Sequence, residues 1–277
     1  VLADWNGLIA AALARAAVVL EDDEYAEAAA AAMDFVLERM SADGGRLLHR
    51  WGDTGAGVTG MLDDYAFTIW ALLELYEAGF DPRRLEQARR LTEVMIEEFW
   101  DEDGGGFWFT AEDSEQLLAR QKNLYDGATP SGNSVAAMDL LRLARITADE
   151  NLERRASELA QTFGGNVRRA PIAYTHFLCA LDFALGPSRE LVVAAPSGDG
   201  GGAVEMARGL QRPFVPNKIV LVDRGGELAV LAPFTGRMSP QEGKPTAYVC
   251  VDYACELPTT DPDQALKLLT GENDDGT

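Results

Sequence analysis

Lysine is scarce in this chain. It occurs only as Lys122, Lys218, Lys244 and Lys267 among 277 residues, and 45 acidic side chains against 24 Lys and Arg give a formal charge of −21. Attachment to nucleic acid or to an anionic membrane needs basic patches, so neither is expected as a partner. Few lysines beside plentiful arginine suit either a high-salt cytoplasm or a GC-rich genome. Three cysteines are too few for a disulfide scaffold in a chain of this size, and a cytoplasmic setting is the default. No uncharged apolar run reaches the roughly 18 residues of a membrane span; the best, "LIAAALARAAVVL", carries Arg15. There is no signal-peptide pattern. The chain opens on "VLADWNG" without an initiator Met, which reads as a fragment or processed piece of something longer.

What is present is a helical pattern in which two kinds of helix alternate. Residues 5–20, 64–78, 132–147 and 172–185 are apolar on more than one face. In the second, Phe67, Ile69, Trp70, Leu72, Leu73, Leu75 and Tyr76 leave only Glu74 and Glu77 strongly polar, so it should be buried on most sides. Residues 83–100 and 152–163 carry one apolar stripe each. A buried helix followed by a one-sided helix, repeated, predicts two layers. Tight links such as "GFDP" at 79–82 alternate with long ones at 41–62 and 101–129. All inner helices then point one way, with their N-termini beside the long loops. Unpaired N–H groups and positive dipole ends collect at that end, and long loops carry function more often than tight turns.

Carboxylates and small polar residues crowd there. Asp4 precedes the first inner helix and Asp63-Asp64 the second. "YDGATPSGNS" precedes the third, with Asp126, Ser131 and Asn133. Paired carboxylates are the machinery of glycoside hydrolysis, and one at a helix N-terminus suits a base or binding role. Plain helix capping is the commoner explanation for any one of them, but three converging on one end of a layered bundle are harder to dismiss. Trp5, Trp51, Trp100, Trp108, Tyr65, Phe107 and Tyr125 fall in or beside the same loops, as faces for sugar rings or as seals of a barrel end. His49 and His176 could exchange a proton across a pocket, although a lone histidine on a helix is more often structural. The candidate catalytic set is Asp64, Asp126 and His176; the candidate binding set is Asp4, Trp5, Asn6, Tyr65, Trp108, Tyr125, Ser131 and Asn133. No metal-ligand set and no cofactor are expected.

After Gly186-Pro187 the texture changes to β-α-β-β-β-β-α, with strands read at "ELVVAA", "NKIVLVD", "GGELAVL", "TAYVCV" and around Cys255. This gives a toroid part over 1–186, a small α/β domain over 187–270 and a disordered tail over 271–277. Cys250 and Cys255 should lie opposite each other in a hairpin, mostly as free thiols, with a cross-strand disulfide or a two-thiolate metal half-site as the alternatives. Cys179 should be core. "SGDGGGAVEMARGL" is a weak phosphate-cradle signal, lacking both the Rossmann glycine spacing and a P-loop lysine.

With these residues laid out, the chain resembles a family named after spermatogenesis-associated protein 20. The matching stretches are "DWNGLIAAAL", "LDDYAF", "FWDEDGGGFWFT", "YDGATPSGNS", "RAPIAYTHFLCALDF", "PNKIVLVD" and "GKPTAYVCVDYACELP". The resemblance implies an N-terminal thioredoxin-like domain, outside this sequence, followed by an α/α toroid similar to N-acylglucosamine 2-epimerase, cellobiose 2-epimerase and six-hairpin glycosidases. The first toroid helices are also missing from this sequence on that reading. A carbohydrate-active domain with a small sugar-like ligand is the function it implies, as isomerase, epimerase or glycosidase. The alternative is a non-catalytic scaffold or binding module for the thioredoxin-like domain. The two histidines do not sit in an epimerase motif, which leaves the carboxylates as the better candidates.

Overall fold

The computed structural model describes residues 1–114, 119–251 and 254–271; the expected tail lies outside them apart from Gly271. The chain divides into two compact units, Val1–Leu143 with Glu150–Leu181, and Ala144–Asp149 with the chain from Asp182 on.

The first unit is built from helices α1 (Ala3–Leu20), α2 (Asp23–Arg39), α3 (Leu62–Gly79), α4 (Pro82–Phe99), α5 (Gly132–Thr147), α6 (Glu150–Arg169) and α7 (Thr175–Leu185). The last residues of α5 and α7 count with the second unit. The alternation read from the sequence is present. In α3, fifteen of eighteen residues are buried. In α4 only the stripe Leu85, Ala88, Leu91, Thr92, Met95 and Phe99 is buried, and in α6 only Ala156, Leu159, Phe163 and Val167. The tight links have local causes. Asp22 and Asp81 cap α2 and α4 by accepting from Glu24 and Arg83 N–H, and Pro82 opens α4. α1 and α3 each stop at a left-handed residue, Glu21 and Phe80.

Helix α1 presents small residues, Ala3, Gly7, Ala10, Ala11, Ala14 and Ala17, as its buried face. A Cβ on Gly7 would lie 2.6 Å from the Phe67 carbonyl carbon, so α1 and α3 meet at backbone distance and only glycine fits. α1 is also the one described helix long and apolar enough to cross a membrane; here it packs on α2 and α3. The long link 41–62 carries an antiparallel hairpin, β1 (Leu48–Gly52) and β2 (Gly55–Thr59). The link 101–129 pairs by a bridge between Trp100 and Phe107. The fold class is mainly α, with helical hairpins in the alternation of a partial α/α toroid, followed by a small α/β unit.

In the second unit β3 (Arg189–Ala195) pairs in parallel with β4 (Lys218–Arg224) through the crossover helix α8 (Gly202–Gln211), and β5 (Thr246–Val251) and β6 (Ala254–Cys255) complete a sheet of order β4-β3-β5-β6. Helix α9 (Pro262–Thr270) follows. Buried Lys218 donates to the carbonyls of Gln211 and Pro213 at 2.8 and 2.9 Å, satisfying the orphan C-terminal end of α8.

Two expectations fail in this unit and one in α7. "GGELAVL" is no strand: Gly225 and Gly226 take positive φ, and Asp223 Oδ1 accepts from Gly226 and Leu228 N–H, curling the segment into a 3-10 turn over Glu227–Val230. Cys250 and Cys255 are not free but joined as a disulfide. They form a non-hydrogen-bonded antiparallel pair, flanked by the Glu256 N–H to Val249 carbonyl bond. Cys179 is exposed rather than core, because Thr175, Cys179 and Asp182 make the open face of α7. Rapid alkylation under native conditions, followed by mass spectrometry, should label Cys179 and spare the pair. Labelling of all three would contradict the bond.

Candidate functional site

Two buried aspartates gather the inner-helix N-termini. Asp64, third residue of α3 and fully buried, accepts from Met61 N–H at 2.8 Å and from Asp4 N–H at 2.9 Å. It therefore caps its own helix and α1 together. Its carboxylate also takes Nδ1 of His49, on β1, at 3.0 and 3.1 Å. In its ionised form Asp64 accepts the Nδ1 proton, leaving His49 Nε2 as the basic face of an oriented imidazole. Asp126 does the same for the other pair. It accepts from Ser131 N–H at 2.9 Å before α5, and from His176 and Phe177 N–H at 2.9 and 3.2 Å in α7. A carboxylate at these positions satisfies orphan donors and meets the positive dipole ends.

Asp63 is the carboxyl group left over. Its Oδ1 is buried and receives no hydrogen bond of good geometry, although the Gly132 amide lies close enough to attract its charge; a Cβ on Gly132, first residue of α5, would collide with it. Burial pushes its pKa up to about 7, helped by the charges of Asp64 and Asp4; the Gly132 amide and His49 pull the other way. Burial also raises Asp64, against its bonds to Met61 N–H and His49. His176 packs against Trp70, ring centroids 5.1 Å apart, with Nε2 buried and unpartnered. Burial lowers its pKa and so favours the neutral ring, against the pull of Asp126.

The other candidate residues divide. Tyr65 does not line a pocket: it is 1% exposed and its hydroxyl accepts from Leu47 N–H. Asn133 is also core, exchanging bonds with both backbone groups of Phe107 and donating to the Asn123 carbonyl. Ser131 is buried and donates to Ser134 Oγ. The polar run before α5 is thus mostly wired inward. Trp5 and Tyr125 remain open, 65% and 69% exposed. Asp4, next to Trp5 in the chain, is half-buried and accepts from Trp5 N–H, and Asn6 donates to the Leu2 carbonyl. Trp108 is half-buried under the cations of Lys122 and Arg120, 4.6 and 5.1 Å from its ring.

Among the described residues Asp4, His49 and Asp64 offer atoms within 4.8 Å of one another that could hold a metal ion. Both Asp64 oxygens are already committed to N–H donors, so the group fits a hydrogen-bonded dyad better. The glycine-rich run before α8 cradles no phosphate: Asp199 accepts from Gly202 and Ala203 N–H and fills the helix start itself.

No protein-family model matches the chain. It is 34% identical over 282 residues to human spermatogenesis-associated protein 20, covering 97% of this chain and 36% of that protein. The rat counterpart is 32% identical over 281 residues, with the same coverage. The chain thus spans about a third of the length of the curated relatives it matches. Among solved structures it overlaps a family 76 α-mannanase from Bacteroides thetaiotaomicron, with TM-score 0.48 and 19% identity over 60% of this chain and 44% of that one. A cellobiose 2-epimerase from Bacillus thermoamylovorans overlaps with TM-score 0.49 and 18% identity, over 58% of this chain and 44% of that one. Overlaps of that extent say nothing of the chemistry here. The resemblance to the spermatogenesis-associated protein 20 family, by contrast, holds in sequence across nearly the whole chain.

Proposed function

We propose that the helical unit is a carbohydrate-active domain whose acid-base group is Asp63. What supports this is a buried carboxyl at the common end of the inner helices whose pKa burial pushes up to about 7. One of its oxygens receives no well-formed hydrogen bond, and it lies beside a second carboxylate that orients a histidine. A group that titrates near the working pH transfers protons in either direction. The His49–Asp64 pair supplies a base of opposite sense, and exposed Trp5 and Tyr125 offer flat faces for a sugar ring. Isomerisation, epimerisation and hydrolysis all need such an acid and base. Asp64 and Asp126 act here by holding Asp63, His49 and His176 in place.

A thermal-shift screen of neutral mono- and disaccharides tests the reading. A sugar present at 100 times its Kd stabilises by about 2.7 kcal/mol, and Asp63→Asn should keep that shift while abolishing turnover. A panel in which no sugar shifts the melting temperature, with Asp63→Asn indistinguishable from the parent, would instead favour a scaffold for a thioredoxin-like domain. That second reading draws on the commitment of Asp64 and Asp126 to helix ends.

A further inference from the structure

The α/β unit holds a cavity of about 500 Å³ between α8 and α9 that the proposed sugar chemistry does not use. This size is within the ordinary range of small-molecule sites, about 300–1,000 Å³. Its apolar lining comes from Met206 and Leu210 of α8, which are 8% and 2% exposed, and from Leu266 of α9. Gly209, on the same face of α8, leaves a notch: a Cβ there would meet nothing within 4 Å. Helix α8 gains nothing from a glycine at that position, where alanine would be the better helix former by about 1 kcal/mol.

Three charged side chains join this apolar surface. Glu205 from α8 and Asp263 from α9 bring exposed carboxylates, and Lys244, from the turn before β5, brings an ammonium. Lys244 is only loosely paired, 3.5 Å from exposed Glu242. It is one of only four lysines in a chain of net charge −21, and it stands beside this apolar lining. Carboxylates from two helices and one ammonium around an apolar lining match a ligand that carries both charges on an apolar body.

We propose that this cavity binds a small apolar zwitterion, an amino acid or dipeptide with an aliphatic or aromatic side chain. Its ammonium meets Glu205 and Asp263, its carboxylate meets Lys244, and its side chain enters the notch at Gly209 against Met206, Leu210 and Leu266. A neutral sugar would leave both the lining and the charges unmatched, so this site stands apart from the one in the helical unit.

The test is a backbone-amide NMR titration of the whole chain with L-phenylalanine, with N-acetyl-L-phenylalanine and L-phenylalaninamide as arms that each lack one charge. Saturable shifts are expected at Gly209 and Leu266, with each derivative binding at least fivefold more weakly. Gly209→Leu should abolish the saturable shifts while leaving the signals of β3 and β4 in place. Glu205→Gln, on the exposed rim, should weaken phenylalanine at least threefold and provides the check if Gly209→Leu disturbs the fold. The proposal is overturned if phenylalanine gives no saturable shift, or if all three probes bind alike. Full binding by either variant would overturn it as well.

Discussion

Arg142→Met should destabilise the helical unit by roughly 3–5 kcal/mol, the usual cost of removing one partner from a buried ion pair. The guanidinium of Arg142, on α5, is 7% exposed and donates to Glu74 and Glu77 of α3 at 2.7 and 3.1 Å. Both glutamates are buried, and burial already raises the pKa of Glu77 against the pull of Arg142. A second cation, Arg15 of α1, is half exposed and 3.7 Å from each, too far and too wet to replace the lost donors. Asp139, on the same helix, provides the contrast. It is fully buried, neither oxygen has a hydrogen-bond partner, and burial pushes its pKa well above the usual carboxylate range. Asp139→Leu should therefore be neutral or stabilising by about 1 kcal/mol, since it removes a buried polar group that nothing satisfies. Urea denaturation of both variants measures the difference. If Arg142→Met cost less than about 1 kcal/mol, the two glutamates would have to reach water.

Asp126→Ala should cost about 2–4 kcal/mol, because three helix-start donors lose their acceptor at once. Asp126→Asn keeps one acceptor oxygen and should lose about half as much. Asp64→Ala should behave alike, unpinning α1, α3 and His49 together. Activity lost in these variants should follow their lowered melting temperatures and return when they are assayed at lower temperature. A large loss of turnover at unchanged stability would instead make Asp64 or Asp126 a reacting group.

Much of this arrangement was legible in the sequence, for reasons that particular residues make plain. Inner and outer helices separate because α3 is apolar all round whereas α4 and α6 have one stripe. The direction of the inner helices follows from the alternation of tight and long links. Which carboxyl is reactive was harder. Asp63 and Asp64 are adjacent, but only the residue at the third helical position can reach back to the Met61 N–H. Helical geometry turns its neighbour aside by about 100°, toward the start of α5, and no local pattern announces Gly132 as the backbone it meets. The polar run at 124–134 misled because pocket walls and buried helix caps use the same small residues. Asn133 is spent on Phe107 and Asn123, which a later fold of the chain brings to it. The 3-10 turn at Glu227 was missed because the side chain of Asp223 overrides the β propensity that follows it.

Asp63 decides whether the end of the inner helices is a working site or a set of caps. Its folded pKa is raised from 3.8 to about 7. Its protonated form therefore favours the folded state fully below about pH 4, and that advantage is lost as the pH rises through about 7. Asp63→Asn should remove this slope, so the variant should gain on the parent between those limits. The direct measurement is the carboxyl carbon-13 shift of Asp63 against pH, assigned by its absence in Asp63→Asn. The account predicts a midpoint near 7. A midpoint near the ordinary carboxylate value of about 4 would contradict it and leave the helix ends with caps alone.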